Sequence, residues 1–542
     1  MLVRLARLFG LGMVAVTLAS CAALQYPDHT ATHADDFGTP VGSQSVRTGG
    51  DLVMGLSAEP DRLDPTTSSS LYTRYVMSSI CEKLYDNDAS GNLVPQLATA
   101  LPAVSPDGLT VTIPVRTGIK FADGTPFDAV AVQTSLQRHF SLKTSQRTSE
   151  MGPIAGIEAN GAAEVVIHYK KPFAPITAAL ADRAGMIMSP AELTKAGDNF
   201  GDHPVCVGPF KFVARVPQTS IVVERDPLYY DAAQVHLDTV TYRIMTEANI
   251  RAANLRSGDI QVADTISPQD ADALEKDSSL RLLQSRGLNF RGLYLNIGNV
   301  DGVGKPAKPI DTPLAKDARV REALSLSIDR NTLVDTVFNN WFEAACSPIV
   351  PRSTYATPAG IACPAYDPQR ARQLLAEAGV KTPYRVRLQV QNTQDQLRYA
   401  QALQADIAAG GFELDIVPTE YSTLLDVQKR GTYEALMLGW SGRIDPDGNI
   451  SRFMTTGSGG NYSGYSSPAL DDLLGQAART TDTARRADLY GRAVQIIQKD
   501  NPYIYTYRER LLTVHSTKVT GIETYPDGVV RVGKAAFLMD KG

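Results

Sequence analysis

VRLQVQNTQDQLRYAQALQADIAAGGFELDIV, residues 386–417, alternates, loses its alternation and then regains it. Val386, Leu388 and Val390 stand at every second position, the period of a strand, and Glu413-Leu-Asp-Ile-Val417 repeats the pattern. Residues 396–410 between them predict a helix. Strand, helix and strand in that order make the unit of a compact α/β lobe. Toward the C-terminus, Ala435-Leu-Met-Leu-Gly439 predicts a buried strand, 469–500 a return to helix and 503–514 further strands. Toward the N-terminus, 367–379 predicts a helix with Asp367 as N-cap, Pro368 as first helical residue and Gly379 as stop. Residues 318–338 predict one long helix, with Val320, Leu324, Ile328 and Val334 toward the core, and 292–296 a strand.

The first half mixes the same elements. Strands are predicted at 51–57, 109–115, 164–169, 210–213 and 220–224, a helix at 74–84 with Val76, Met77, Ile80 and Leu84 on one face, and another helix from Asp128. A chain of 542 residues exceeds one ordinary core and predicts two or more lobes. Hydrophobic residues at 43% and charged ones at 20% fit a water-soluble globular protein. Net charge is -5, and lysines and arginines are scattered without the basic stripe that a nucleic-acid partner would require.

MLVRLARLFGLGMVAVTLASC, residues 1–21, has Arg4 and Arg7, an apolar run from Leu8 to Leu18, and small residues after it. That order predicts a signal peptide over 1–20, and the run is too short for a mature membrane span. Leu18-Ala19-Ser20-Cys21 matches the bacterial lipobox, so Cys21 is expected to carry a lipid that holds the mature chain to the outer face of the cytoplasmic membrane. Residues 21–50 predict a lipid-anchored flexible tether. His29 and His33 within it share a metal-like spacing that an unstructured segment leaves incidental. Four cysteines remain for an oxidising compartment. Cys346 and Cys363 bracket a Pro/Gly-rich loop that a bridge would close; Cys81 and Cys206 are the leftover pair, with buried free thiols as the alternative.

Catalytic motifs are missing. No H-E-x-x-H, G-x-S-x-G or S-x-x-K occurs, and the seven histidines are dispersed, so neither a metal nor a cofactor is expected. Gly302-Val-Gly-Lys305 is too short for a phosphate loop and precedes a proline. GWSGRIDPDGN, residues 439–449, is a different case. Trp440 ends a predicted strand, where open α/β sheets place ligands, and the glycines around it permit close approach. Asp445-Pro-Asp-Gly448 has the residues of a type I turn, so turn chemistry accounts for Asp445 as well as ligand contact does.

Several stretches together resemble the family-5 extracellular solute-binding proteins, the peptide/nickel class that feeds ABC transporters. They are GLSAEPDRLDPTTSSSLY (55–72), ICEKLYDNDASGNLVPQLA (80–98), SPDGLTVTIPVRTGIKFADGTPFDAVAVQTSLQR (105–138), VGPFKF (207–212), DARVREALSLSIDRNTLV (317–334), YDPQRARQLLAEAGV (366–380) and NYSGYSSPALDDLL (461–474). The resemblance implies a two-lobed α/β fold of the periplasmic-binding-protein type (type II, cluster C). Lobe I would span 51–283 with an inserted subdomain at about 93–204, and lobe II 284–503, with 504–542 returning to lobe I. Ligand would be enclosed between the lobes by hinge closure.

In peptide-binding members an aspartate three residues after this tryptophan pairs with the peptide's α-ammonium. The matching position here is Arg443, whose fork suits a carboxylate or phosphate. A peptide amine would then fall to Asp445 or Asp447. Asn461 and Tyr462 match the family's other glycine-flanked segment; Ser69 and Tyr72 follow the Asp64-Pro65 turn; Arg291 and Tyr507 lie at the expected crossings between lobes, and Arg398 starts a helix. The expected activity is capture of a short peptide or similar small polar solute by a monomeric receptor that serves an ABC permease. The alternatives are a non-peptide solute (an opine, oligosaccharide, glutathione-like compound or metal chelate), a secreted hydrolase and a structural surface lipoprotein.

Overall fold

Residues 384–419 form a strand–helix–strand unit: Tyr384–Gln391 and Phe412–Thr419 pair in parallel, and helix Gln394–Ile407 connects them. The computed structural model in which this is seen describes residues 33–539; Cys21, His29 and the signal peptide lie outside the described residues. Ala435–Trp440 pairs in parallel with 388–390 and antiparallel with Phe290–Leu295, and Tyr503–Arg508 and Glu343–Ala344 complete a six-stranded sheet. Val386, Leu388 and Val390 are wholly buried in one core cluster with Tyr399, Leu403 and Leu324, while Tyr294, Leu436 and Leu438 belong to another cluster with Tyr490 and Val494. This sheet is the frame of lobe II.

Lobe I is built on a seven-stranded sheet, in the order Leu280–Arg286, Arg510–Ser516, Val262–Ala263, Asp51–Leu56, Thr239–Ile244, Ser220–Arg225 and Phe210–Val216. A separate four-stranded antiparallel sheet (Ala103–Val104, Thr110–Pro114, Glu164–Tyr169, Ile154–Asn160) packs with helix Ala129–Ser141. The Asp128 carboxylate caps that helix by accepting the amides of Val130 and Ala131. Cys81 and Cys206 form one disulfide, Cα–Cα 4.9 Å, and Cys346 and Cys363 another, Cα–Cα 5.1 Å. Among the described residues, no helix is long and apolar enough to cross a membrane.

The two sheets share a pair of continuous ribbons. Leu280–Arg286 pairs with Arg510–Ser516 in lobe I; after a three-residue step on one side and Glu509 alone on the other, Phe290–Leu295 pairs with Tyr503–Arg508 in lobe II. Asn289 repairs the break: its Nδ2 donates to Glu509 O at 2.8 Å, and its Oδ1 accepts Glu509 N at 2.8 Å.

Four elements differ from the sequence expectation. The helix expected over 74–84 runs over Leu71–Ile80, capped by Ser70, and Leu84 lies beyond its end. Residues 318–338 form two helices, Ala318–Leu326 and Arg330–Phe338, because the Asp329 side chain accepts Thr332 N and starts a second helix. Residues 469–500 likewise divide at 480–482, where Asp482 accepts Arg485 N. The segment from Asp35 to Arg47 is held and not free: Val46–Arg47 pairs with Ala536–Leu538, and Asp35 meets Arg286, Arg352 and Arg510 at 3.1–3.3 Å.

Candidate functional site

Trp440 ends its strand half-buried. Its ring stands edge-on to Phe453 with centroids 4.9 Å apart, and its Nε1 donates to Asn449 Oδ1 at 3.1 Å. The Asn449 carboxamide also fastens the following loop, accepting Arg443 N at 2.7 Å and donating to Arg443 O at 2.8 Å. At Gly442, φ is 86°, and a Cβ would lie 2.3 Å from Leu288 O, so the loop's path depends on glycine. So pinned, the Arg443 guanidinium packs over the Trp440 ring, 4.2 Å from its centroid.

Arg443 is buried at the seam between lobes. Its Nε lies 3.3 Å from Asp182 Oδ2 of lobe I. Asp182 also meets Arg74 Nη2 at 2.7 Å and Arg183 Nε at 3.4 Å, and Arg74 Nη1 donates back across the seam to Ser441 Oγ at 3.3 Å. A second ion pair crosses nearby: Arg452 of lobe II meets Glu150 of lobe I, which Arg147 holds at 2.8 Å. Burial opposes the Asp182 charge, but Arg443, Arg74 and Arg183 outweigh it and hold the carboxyl well below its usual range. Burial pulls Arg443 down to about 9, against the attraction of Asp182, so it is protonated at neutral pH.

The neighbouring acids behave differently from each other. Asp445 faces inward in lobe II, where Arg486 grips both its oxygens at 2.7 and 2.8 Å. Its Oδ1 also accepts Asp447 N at 2.9 Å, and Gly448 N donates to Asp445 O at 3.1 Å, so it is the first residue of a hydrogen-bonded turn. Asp447 begins helix Asp447–Met454 and accepts Ser451 Oγ at 2.6 Å; burial, then the charge of Asp445, pushes it up to about 7.

The remaining residues singled out from the sequence spread over several places. Ser69 and Tyr72 are near the seam: Ser69 N donates to Asp61 Oδ2 at 2.8 Å, and Tyr72 stands edge-on to Tyr421 of lobe II at 5.4 Å. Arg291 pairs with Glu509 at 2.9 Å beside the ribbons. Tyr507 is buried among Phe338, Phe342 and Tyr399 in the core of lobe II. Asn461 serves its own loop, donating to the carbonyls of Thr455 and Tyr465, and Tyr462 packs on Tyr294 and Phe453. Arg398 forms a partly exposed pair with Asp395 at 3.1 Å.

Sequence reasoning missed Arg74, Arg147, Glu150, Asp182, Arg183 and Arg452. One signal was present. Arg74 interrupts the buried face of its helix, and Asp182-Arg183 sits between apolar neighbours; charges in such places are paired.

The seam encloses little space. One void of about 20 Å³ is lined by Arg443, Asp182, Glu150 and Asp447, and one of about 50 Å³ by Tyr72, Arg291, Gln396 and Glu509. Both fall short of the roughly 300 Å³ at which small-molecule sites begin, so the lobes stand closed on one another. A larger cavity, about 490 Å³, is lined by Glu82, Tyr229, Tyr230 and Arg531 of lobe I alone. Hinge motion would not shut it, and its charges are engaged: Glu82 accepts both tyrosine hydroxyls, and Arg531 pairs with Asp86 and Asp527.

Residues 92–462 match the family described as bacterial extracellular solute-binding proteins, family 5 Middle. Over 489 residues the chain is 31% identical to the glutathione-binding protein GsiB of Pectobacterium atrosepticum, covering 88% of this chain and 92% of that one. Identity to GsiB of Escherichia coli K12 is 30%, with the same coverage. Among solved structures, the PBP AgaA of A. tumefaciens R10 in complex with agropinic acid superposes with a TM-score of 0.81 at 26% identity, covering 91% of this chain and 99% of that one. DppA of Helicobacter pylori, in complex with the peptide STSA, has the same fold, with a TM-score of 0.81, 24% identity and the same coverage.

Proposed function

The chain belongs to the bacterial extracellular solute-binding proteins of family 5, and from that membership we propose that it captures a short peptide or similar small polar solute between its lobes and delivers it to an ABC permease. The pair Arg443–Asp182 carries this reading: it spans the seam beside Trp440, where a solute touching both lobes would sit. A solute that binds both faces favours the shut state over the open one. Such binding needs no covalent step and no cofactor. Trp440 would offer its ring, Arg443 its guanidinium and Asp447 its carboxyl, with Ser69 and Tyr72 on the opposing wall.

In this reading Cys21 bears a lipid, and the monomeric receptor stays at the outer face of the cytoplasmic membrane. Lobe I runs over 51–286 with a subdomain at about 93–204 and returns over 510–542, and lobe II runs over 290–508; the expected bounds at 283 and 503 move because Leu280–Arg286 pairs with Arg510–Ser516 and Phe290–Leu295 with Tyr503–Arg508. A non-peptide solute is the second reading. It is favoured by Arg443, which replaces the aspartate that grips a peptide amine in relatives, and by the ligands named for GsiB and AgaA.

Calorimetry of wild type, Trp440→Ala and Arg443→Ala with tripeptides and with glutathione tests the proposal. Both substitutions are expected to weaken binding by about tenfold or more. Unchanged affinity in both would remove this loop from the site.

A further inference from the structure

The seam holds more positive than negative charge. Arg74, Arg147, Arg183, Arg443 and Arg452 converge there, and the carboxylates paired with them are Asp182, Glu150 and Asp527, the last of which is shared with Arg531. Asp445 cannot make up the difference, because Arg486 holds it inside lobe II. Asp447 titrates near neutrality, and Asp61, engaged by the amides of Ser69 and Ser70, adds only a smaller pull on Arg183. Buried guanidinium groups short of counter-charge are costly to keep from water.

Hydrogen bonding is incomplete at the same place. Among the described residues there, Arg443 Nη2, Arg147 Nε, Arg183 Nε, Arg452 Nε and Ser69 Oγ are buried donors that make no hydrogen bond, against a single buried acceptor in the same state, Asp182 Oδ2. Buried donors in native proteins are normally satisfied, and here they outnumber the spare acceptor. Arg443 Nε faces the Asp182 carboxylate as an ion pair and Nη1 donates to Gly442 O and Ser441 Oγ, which leaves Nη2 for a group the protein does not supply. Among the described residues, Arg443 is the one cation lining the small seam void, beside Pro175, Ala178 and the carboxylates of Glu150, Asp182, Asp445 and Asp447, which are engaged by Arg147, Arg74, Arg486 and Ser451 in turn. An added oxygen acceptor at Nη2 would complete the fork and supply the missing charge.

We propose that the captured solute is acidic, bearing at least two carboxylates, and that one of them binds Arg443 Nη2. This rests on the capture reading above and narrows it. Neutralising guanidiniums contributed by both lobes also explains why such a solute would favour closure: with the lobes apart, Arg443 and Arg452 stand away from Arg74, Arg147 and Arg183.

Pairs of probes that differ in charge but little in size test the class. Titrations of Ala-Glu against Ala-Gln, and of reduced glutathione against its diethyl ester, can be followed by tryptophan fluorescence, with inorganic phosphate as a separate arm. The acid of at least one pair is expected to bind about tenfold tighter than its neutral partner. Arg443→Gln is expected to cut that preference below about threefold, and Arg443→Lys, which keeps the charge but loses the fork, to fall between. Melting curves of both variants identify any loss that comes from unfolding. Equal affinity within both pairs, a preference that survives in folded Arg443→Gln, or phosphate binding as tightly as the acids would each overturn the proposal. If only neutral probes bind and compact the protein in solution scattering, the acidic class fails while capture between lobes stands. If no probe binds or compacts it, both fail.

Discussion

Arg443 Nε and Asp182 Oδ2, 261 positions apart in the chain, lie 3.3 Å from each other across the two lobes. Asp182 simultaneously serves Arg74 and Arg183, so its removal takes a counter-charge from three buried cations, of which Arg74 alone keeps a second carboxylate, Asp527. Asp182→Asn is expected to destabilise the protein by about 3–5 kcal/mol in chemical denaturation. Adding Arg443→Gln should recover part of that loss, and a double-mutant cycle measures the coupling. Strict additivity would mean that the two side chains do not interact in solution.

Asn449 fixes the loop without lining the seam void. Its carboxamide makes three hydrogen bonds, to Trp440 Nε1, Arg443 N and Arg443 O. Asn449→Ala should cost about 1–3 kcal/mol of stability and weaken solute binding although it removes no group proposed to touch the solute. Affinity equal to wild type would show that the loop holds its shape unaided.

Asp447 imposes a pH dependence of defined sign. Its pKa rises from 3.8 to about 7, first through burial and then through Asp445. A carboxyl of this kind favours the fold most below its unfolded pKa, and its contribution is lost as pH rises through 7. Asp447→Asn should therefore gain on wild type in melting temperature as pH rises from 4 to 8. A difference between the two proteins that does not change over this range would contradict the shift.

Asp35 gives the opposite slope. Burial would raise its pKa, but the Arg286 amide and the guanidiniums of Arg286, Arg510 and Arg352 outweigh it and hold the carboxyl below its usual range. Its stabilisation is present above the unfolded pKa and is lost as pH falls through the lowered value. Asp35→Asn should cost about 1 kcal/mol at neutral pH and nothing once wild-type Asp35 is itself protonated. Denaturant midpoints of both proteins along a pH series check this.

Local patterns carried the fold. Strand Glu164–Tyr169 and helix Pro368–Glu377 follow from alternation and from the Asp367 cap, which act over a few residues. The expectation of one helix over 318–338 fails for an equally local reason: its apolar positions remain in phase across the interruption and hide the cap at Asp329. The tether expected over 21–50 rests on composition, which does not register that Asp35 finds three arginines far along the chain. The site was legible on one side only. Trp440 and Arg443 stand out within a glycine-rich loop, whereas Asp182 and Glu150 acquire meaning only when the lobes meet, and no spacing rule joins residues that far apart.

Asn289 gives the molecule a preferred way to move. Its carboxamide holds the two connecting ribbons side by side at their thinnest point, so sliding one past the other would break both of its bonds with Glu509. A swing about the few backbone bonds at 287–289 and 509 that keeps both would return the lobes to the same alignment, and each captured molecule would then meet the same two walls in the same register.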